Sequence, residues 1–405
     1  MKVSWDIKKL GEVCVIVNGS TPLRSKKEFW NNGDIEWFTI EDIREQGRKI
    51  TRTKQKVTEV ALKETSLRIL PSNSVLLCCT ASIGEHAITE IPLATNQQFN
   101  GLVVKNKLAL EPLFLFHFCA TLKDVLSNLS GKTTIDFIPI SRLREIAIPL
   151  PPIVEQQRIV AILDQAFEGI AKARANAEQN LQNARALFES HLQSVFSQRV
   201  EGWMKNKLGS LTTKIGSGAT PRGGGESYKA EGISLVRSLN VHDFGFKYAK
   251  LAFLDDAQAK ELSNVELKSN DVLLNITGAS VARCCIVPES VLPARVNQHV
   301  SIIRPIFEKL DSSFLHYLLL SKPYKDKLLQ TGSEGGSTRQ AITKAQIQEF
   351  FIEYPPTIED QKAIVHKLNE MLKETQRLEA LYQRKIALLD ELKKSLLQQA
   401  FAGEL

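Results

Sequence analysis

An internal duplication of about 200 residues constrains the fold of this 405-residue chain more than any other feature. Residues 5–22 recur as 203–221, and residues 72–77 recur as 269–274. A repeat of this length is far too long for one module of a solenoid, whose repeats run to about 20–50 residues. The sequence therefore predicts two similar domains in tandem. Such a chain suits a target that presents two sites at a fixed distance.

Each copy of the repeat predicts a globular domain followed by a long helix. In the globular parts, strand-length apolar runs such as 75–79 and 273–276 are interrupted by helical patterns at 113–129 and 313–329. This arrangement favours a mixed α+β fold over regular βαβ alternation. A Pro-Pro pair ends each globular part. The predicted segments are a first target-binding domain over 1–150, a central spacer helix over 151–202, a second domain over 203–354 and a C-terminal spacer helix over 355–405.

The two predicted helices carry an apolar seam at steps of three and four residues, which is typical of a coiled coil. At 1.5 Å per residue, each helix would run about 60–70 Å. We expect the helices to pair antiparallel within the chain, which relates the two domains by a pseudo-twofold axis. The alternative is that they are stalks that join two copies of the chain. The seam residues predicted to make helix or partner contacts are Ile159, Leu163, Ile170, Leu181, Leu192, Ile364, Leu368, Leu378, Leu389, Leu392 and Leu396.

The distribution of charge restricts the partners of the chain. The net charge is +7, of which each globular part carries +4, whereas the two helical segments carry −1 and 0. A polyanion contacted once by each domain would produce this distribution. No apolar run approaches the ~18–20 residues that span a bilayer, and the start of the chain has no signal-peptide core. We expect a cytoplasmic protein without membrane contact.

Motifs for catalysis and cofactor binding are incomplete or absent. Residues 130–134 (SGKTT) look like the end of a phosphate-binding loop, but Leu126 stands where that motif needs glycine. Neither Pro-Pro pair has the preceding Asp or Asn and the following aromatic residue of an adenine N6-methyltransferase loop. No zinc-type spacing of Cys and His, catalytic triad or carboxylate pair emerges. The sequence predicts a binding protein with no metal, no cofactor and no chemistry of its own.

Polar loops of the two domains supply the candidate contacts to a nucleic acid. Arginine guanidinium and Asn or Gln amides can read base edges, and Lys, Thr and backbone amides suit phosphates. The Asn-Gln pairs at 96–97 and 297–298 recur in both copies. Domains with different targets should share scaffold residues, so we favour buried or turn-forming amides there, with base reading as the alternative. The candidate DNA contacts, each of which could instead be a solvated side chain, are Thr21, Arg24, Lys26, Lys27, Arg44, Arg48, Arg222, Arg237, Asn240, His242 and Arg339.

The order of the duplicated blocks resembles that of the specificity (S) subunit of Type I restriction-modification systems. The resemblance covers essentially the whole chain in the domain order of that family. Its blocks are GSTP at 19–22 and GATP at 218–221, TNQ at 95–97 and VNQ at 296–298, the segments 148–164 and 354–365, and the ending QAFAGEL at 399–405.

The resemblance implies two target recognition domains, each reading one half of a bipartite double-stranded DNA target. They are separated by two helices that act as a ruler and dock two modification subunits. Those partners bind S-adenosylmethionine and methylate adenine N6, while restriction subunits use ATP and Mg²⁺ for translocation and cleavage. Two unlike domains imply a non-palindromic target. Half-sites one helical turn apart, about 10 bp between centres, leave a gap of roughly 5–8 bp.

Two further classes of function are alternatives to this one. An interaction protein would bind two copies of a protein partner, with DNA contact incidental. A steep salt dependence of DNA binding by the assembled complex would distinguish the base-reading subunit from it. A stand-alone enzyme would require turnover by the isolated chain.

Overall fold

The structure, a computed structural model, describes residues 5–129, 137–197, 201–333 and 341–405. The chain forms two compact units. The first unit is Met1–Glu178 with Gln383–Leu405, and the second is Gln179–Tyr382. The division falls inside both long helices, α7 (Ile153–Ser197) and α12 (Ile358–Ala402). Each unit therefore contains one globular domain and a part of each helix.

The globular domain of the first unit is built on a five-stranded sheet in the order β2-β9-β6-β7-β4, beside a smaller sheet β5-β3-β8 and the pair β1-β10. Its helices are α1 (Leu10–Val13), α2 (Ile40–Gln46), α3 (Glu59–Glu64), α4 (Pro112–Cys119), α5 (Lys123–Leu129) and α6 (Ile140–Arg144). Its strands are β1 (Asp6–Lys9), β2 (Cys14–Asn18), β3 (Ile35–Phe38), β4 (Lys49–Ile50), β5 (Gln55–Val57), β6 (Val75–Cys78), β7 (His86–Thr89), β8 (Ala94–Thr95), β9 (Phe99–Val104) and β10 (Ala147–Leu150).

The globular domain of the second unit repeats this order of strands except that, among the described residues, its larger sheet has no strand in the position of β4. Its larger sheet runs β12-β20-β17-β18 and its smaller sheet β16-β13-β19, with the pairs β11-β21 and β14-β15. Its helices are α8 (Asp256–Glu261), α9 (Ser312–Leu320), α10 (Lys322–Ser333) and α11 (Lys344–Glu349). Its strands are β11 (Met204–Lys207), β12 (Thr212–Ser217), β13 (Ile233–Val236), β14 (Val241–His242), β15 (Gly245–Phe246), β16 (Ala252–Leu254), β17 (Val272–Asn275), β18 (Cys284–Ile286), β19 (Ala294–Val296), β20 (Val300–Pro305) and β21 (Phe351–Tyr354).

The central strands are apolar without alternation because both of their faces are covered. Side chains of a strand point to opposite faces in turn. In β6, Val75 and Leu77 belong to the core formed with α4 and the long helices, whereas Leu76 and Cys78 belong to the core under the smaller sheet. All four side chains are buried. A continuous apolar run is the expected pattern for such a doubly covered strand, and β17 is divided in the same way.

The two long helices contact each other antiparallel within each unit, as the sequence predicted. In the first unit, Arg158 Nη2 donates to the carbonyl oxygen of Leu405 over 2.6 Å, and Arg174 pairs with Asp390. In the second unit, Arg185 Nε lies 2.8 Å from Glu379 Oε1. Positions on α12 thus fall as positions on α7 rise. The pairing takes place within one chain.

The predicted seam residues are buried or partly buried along α7 and α12, except for Leu392 near the end of α12. Leu392 is 46% exposed, whereas Leu397 and Ala400 are buried. The Lys393 ammonium lies 4.8 Å from the ring centre of Phe167, one position after the predicted contact. A straight helix drifts by about 20° per heptad against a 3.5-residue repeat, so near the end of α12 the buried positions are Leu397 and Ala400. The other predicted seam residues are buried or partly buried, namely Ile159, Leu163, Ile170, Leu181, Leu192, Ile364, Leu368, Leu378, Leu389 and Leu396.

Among the described residues, none of the helices combines the length and the apolar character that crossing a bilayer requires. The phosphate-loop-like residues 130–134 lie outside the described residues.

Candidate functional site: two matched clefts

Each globular domain has an open cleft beside the hairpin that follows its central strand. Cleft 1, of about 560 Å³, is lined by Ile40, Ile43, Arg44, Ala81, Ser82, Ile83, Glu85, Lys123 and Ser127. Cleft 2, of about 420 Å³, is lined by Ser238, Leu239, Thr277, Gly278, Ala279, Ser280, Arg283 and His299.

The two clefts occupy the same place in the repeated fold. One wall is the segment after the middle strand of the smaller sheet, β3 in the first domain and β13 in the second. The other wall is the β6–β7 turn or the β17–β18 turn. Glu85 immediately precedes β7 and Arg283 immediately precedes β18, so these residues are equivalent. The fold therefore keeps the position of the cleft and changes the charge of its lining.

The hairpin turns depend on left-handed backbone at two places in each domain. Ala81 and Gly84 have φ of 54° and 85° in the first domain, and Gly278 and Ala282 have φ of 76° and 65° in the second. These positive φ values turn the chain sharply between two antiparallel strands. A Cβ at Gly84 would lie 3.1 Å from the Cα of Lys123, which fixes the approach of α5 to cleft 1.

The unpaired charge of cleft 1 is positive. Glu85 Oε2 is 2.9 Å from Arg48 Nη2, so its charge is balanced. Arg48 also donates from Nη1 to the carbonyl oxygen of His86 over 3.0 Å. Burial first, and then the Arg48 guanidinium, lower the pKa of His86 to about 3. Within the described part of the chain, the side chains of Arg44 and Lys123 have no hydrogen-bond or ion-pair partner, so they provide the net charge of the cleft.

Cleft 2 is held open by a buried asparagine at the end of β17. Asn275 Nδ2 donates to the carbonyl oxygen of Ser238 over 2.9 Å and to Ser280 Oγ over 3.1 Å, which ties the two walls together. Thr277 Oγ1 lies 2.7 Å from His299 Nδ1 and fixes one nitrogen of that ring. The guanidinium of Arg283 has no partner among the residues that the structure describes.

The amides repeated in both copies shape the turns beside the clefts, as the sequence favoured. Asn96 Oδ1 accepts from the backbone N–H of Gln98 over 3.1 Å, and Asn297 Oδ1 accepts from that of His299 over 3.2 Å. Both asparagines are buried. The neighbouring glutamines contact the repeated threonines, in the pairs Thr21–Gln97 and Thr220–Gln298. The interpretation of Asn96 and Asn297 as base readers is therefore not supported.

In the first domain, most of the predicted DNA contacts have partners inside the protein. Arg24 stacks 3.8 Å from the ring centre of Trp30 and donates to Gln55 Oε1 over 2.7 Å. Lys26 pairs with Glu28 and Glu64. The hydroxyl of Thr21 bonds to Gln97, and Arg48 pairs with Glu85 as described above. The predicted contacts without a side-chain partner among the described residues are Lys27 and Arg44, and only Arg44 lines the cleft.

In the second domain, none of the predicted contacts that the structure describes lines cleft 2. Asn240 is fully buried, accepts from the backbone N–H of Arg237 over 3.0 Å and donates to the carbonyl oxygen of Lys247 over 2.8 Å. Its amide closes its own loop, so the hydrogen-bonding groups of the Asn240 side chain already have partners inside the protein. Arg237 Nη2 donates to the carbonyl oxygen of Lys250 over 2.5 Å, and His242 Nε2 lies 3.2 Å from that of Leu239.

The remaining predicted contacts in this domain are Arg222, which is exposed, and Arg339, which lies outside the described residues. The sequence reasoning missed Lys123, Arg283 and His299. For Arg283 a signal existed, since aligning the two copies sets it against Glu85 in a change of charge sign just before a strand. His299 stands against Gln98 in the same alignment. Nothing in the sequence marks Lys123.

The described residues contain no group of three or more His, Cys, Asp or Glu side chains placed to hold a metal ion. The clefts instead bring together arginine, lysine, histidine and hydroxyl groups, which donate to the oxygens and ring nitrogens of nucleic acids.

Comparison with known proteins gives a consistent result along the chain. The model of the Type I restriction modification DNA specificity domain matches residues 2–179 and 200–388, one match per repeat. The specificity subunit of the Type I restriction enzyme MjaIX of Methanocaldococcus jannaschii is 27% identical over 99% of this chain and 93% of its own length. That of the EcoprrI enzyme of Escherichia coli is 35% identical over 41% of this chain and 42% of its own length.

Two solved structures share the fold. A chain from a study of complex assembly and conformational transition of the type I R-M system aligns with a TM-score of 0.78 at 22% identity, covering 99% of this chain and 98% of that one. The HsdS subunit of Thermoanaerobacter tengcongensis aligns with a TM-score of 0.63 at 22% identity, over 99% and 97% of the two chains. The duplicated α+β domains and the long helices are thus shared with known structures.

Proposed function

This chain belongs to the Type I restriction modification DNA specificity family, and we propose that it reads a bipartite, non-palindromic DNA target, one half with each domain. Members of the family are non-catalytic recognition subunits, and this chain has the same DNA-specificity role. In this proposal the chain acts in the cytoplasm. It directs two modification subunits, which methylate adenine N6, and the restriction and translocase subunits to the DNA target. S-adenosylmethionine, ATP and Mg²⁺ are expected on those partners.

The observation that carries the proposal is that the two clefts lie at the same place in the repeated fold but are lined by different side chains. Cleft 1 presents Arg44 and Lys123, and cleft 2 presents Arg283 and His299. Lysine suits a phosphate, and an arginine fork or a histidine suits a base edge. Because the linings differ, the two domains are expected to prefer different bases, which makes the complete target asymmetric.

The paired helices support a fixed separation between the two half-sites. In each unit α7 and α12 contact each other through side chains in a defined register, as in the pairs Arg174–Asp390 and Arg185–Glu379. A rigid spacer gives a constant number of unread base pairs. We expect a gap of roughly 5–8 bp, because half-sites on one side of a duplex lie about one helical turn apart.

An outer apolar stripe on α12 supports the docking of partner subunits. Leu388 is 52% exposed and Leu392 is 46% exposed. These residues are four apart, so they lie on the same face of the helix. Adjacent exposed leucines in a long helix are typical of a surface that a partner covers, and the modification subunits are the proposed partners.

The experiment that tests this function is a map of N6-methyladenine in cells that express this chain with its modification subunits. We expect one asymmetric bipartite motif, with an adenine methylated in each half-site on opposite strands. The motif should disappear when this chain is omitted and the modification subunits are kept. A map without such a motif, obtained with a complex that assembles, would overturn the proposal.

A further inference from the structure

We propose that Arg283 reads a guanine in the half-site bound by the second domain, with His299 as its neighbouring contact. The inference rests on the proposed function and assigns one base-reading position within it. Both residues line cleft 2, and neither was among the contacts that the sequence pattern indicated.

Among the described residues, Arg283 has no side-chain partner, whereas other arginines of this domain do. Arg295 donates to Glu266 Oε1 over 3.2 Å, and Arg304 makes two bonds of 2.7 Å to Asp271. Arg237 is bonded to the carbonyl oxygen of Lys250. By contrast, the Arg283 guanidinium has no partner within the described residues although the side chain is partly buried. A partly buried arginine without a partner is available to a ligand that enters the cleft.

Hydrogen bonds hold the backbone of Arg283 in place on both sides. The N–H of Arg283 donates to the carbonyl oxygen of Ser280 over 3.2 Å, and its own carbonyl oxygen accepts from the N–H of Asn275 over 2.8 Å. Asn275 also ties the turn to Ser238 across the cleft. The guanidinium fork therefore starts from a fixed point, and a planar fork loses less freedom per hydrogen bond than a flexible ammonium.

The charge at the equivalent position of the first domain distinguishes a base contact from a phosphate contact. The sugar-phosphate backbone is the same for both half-sites, so a phosphate-binding position should stay basic in both domains. The position of Arg283 instead holds Glu85 in the first domain, where Arg48 balances its charge. A reversal of charge at equivalent positions is expected of a residue that reads a base. The two acceptors O6 and N7 of guanine match the arginine fork.

The lining next to Arg283 leaves room for a base edge. Gly278, Ala279 and Ser280 form the turn beside it, and a Cβ at Gly278 would meet no atom within 4 Å. His299 has Nδ1 fixed by Thr277, and its Nε2 has no partner in the described part of the chain. This nitrogen is the second group that the cleft offers to a base.

The test uses the complex of this chain with its modification subunits and a library of DNA duplexes randomised over the target. Methylation by wild type defines the motif. For Arg283→Gln, we expect loss of the guanine preference at one position of the second half-site, by roughly ten- to hundredfold, since a bidentate pair contributes about 1–3 kcal/mol of discrimination. Glutamine also pairs with adenine, so the preference should move towards adenine. The first half-site should stay unchanged and serves as the folding control within the same molecule.

Two further variants keep the test decisive. Arg52→Gln removes an exposed arginine of the first domain that pairs only with Glu45 in the described structure, and it should leave the whole motif unchanged. Arg283→Lys keeps the charge without the fork and should weaken the same guanine preference. If the wild-type complex has no bipartite motif, the proposed function fails. If it has one, and Arg283→Gln keeps every base preference or weakens methylation of all sequences equally, Arg283 is not a base reader and this inference is overturned.

Discussion

The Arg48 guanidinium and the Glu85 carboxylate form an ion pair beside cleft 1, with 2.9 Å between Nη2 and Oε2. Both side chains are more than a third exposed. The pair neutralises the negative charge of Glu85 beside the cleft that we propose binds DNA. It explains how an acidic residue can occupy, in the first domain, the position that Arg283 occupies in the second.

Removing Arg48 should therefore weaken DNA binding by exposing the charge of Glu85. For Arg48→Gln we expect lower affinity of the complex for its target, measured by fluorescence anisotropy at two salt concentrations. The free energy of unfolding should fall by only about 0.2–1 kcal/mol, because the pair is well exposed to solvent. The double variant Arg48→Gln/Glu85→Gln should recover most of the affinity. An equal loss in the double variant would show that Arg48 itself contacts DNA.

The buried His86 should make the protein less stable at acidic pH. Burial lowers its pKa to about 3 in the folded state, against 6.5 for an exposed histidine. Between these values the unfolded chain binds one more proton than the folded chain, so the free energy of unfolding falls as the pH falls below about 6.5. The loss from His86 by pH 5 is about 2 kcal/mol.

Urea unfolding at pH 7.5 and pH 5.0 measures this effect. His86→Asn should lose less stability over this interval than wild type. His366→Asn, which changes an exposed histidine of α12, should match wild type. If all three proteins lose the same free energy of unfolding between pH 7.5 and pH 5.0, His86 is not the source of the loss.

Asn240 should matter for stability and not for base preference. Its buried amide joins the backbone of Arg237 to that of Lys247, so Asn240→Ala leaves buried polar groups without partners. We expect a loss of about 1–3 kcal/mol in the free energy of unfolding. Arg222→Ala, at an exposed site, should change it by less than about 0.5 kcal/mol. A stable Asn240→Ala protein with a changed motif would contradict this assignment.

Gly19 and Gly218 should not tolerate a side chain. A Cβ would lie 1.9 Å from the carbonyl oxygen of Asn96 in the first domain and 2.0 Å from that of Val296 in the second. We expect Gly218→Ala to destabilise the protein by at least about 1–3 kcal/mol, since the obstacle is backbone. Gly216→Ala is the matched control, because its Cβ would meet nothing within 4 Å. Thermal unfolding of the two variants compares them directly.

Lengthening both helices should change the gap and leave the half-sites intact. Seven residues inserted after Glu178 and seven after Tyr382 keep the seam in phase. They add about 10 Å, the rise of about three base pairs. The methylation motif should then show the same half-sites with a longer gap. A change of the half-site bases with the original gap would contradict the proposal that the helices set the distance between the half-sites.

Two similar α+β domains and two long helices could be predicted from the sequence, because repeated blocks and the spacing of apolar residues are visible in the sequence itself. The end of the helix seam was not predictable in the same way. Leu392 follows the heptad step, yet it is 46% exposed, whereas Leu397 and Ala400 are buried. Which residue faces the partner depends on the accumulated rotation of the whole helix.

The candidate site was harder to predict because internal partners are set by distant segments. Arg24 stacks on Trp30 and Trp37, and Lys26 pairs with Glu64, 38 residues away. Their charge suggested DNA contacts, and only the tertiary structure shows that these groups already have partners. Arg283 was missed for the opposite reason. A single arginine next to a strand gives no sign in the sequence that it lacks a partner, as it does among the described residues.

The last 23 residues of the chain have a consequence for how the protein is made. They complete the first unit, where Phe401 stacks against Phe114 and Phe118, and Leu405 accepts from Arg158. During synthesis, the segment 179–382 has all of its own core before these residues leave the ribosome. The domain that is translated first therefore lacks part of its apolar cover until residues 383–405 have been made, about 200 residues later.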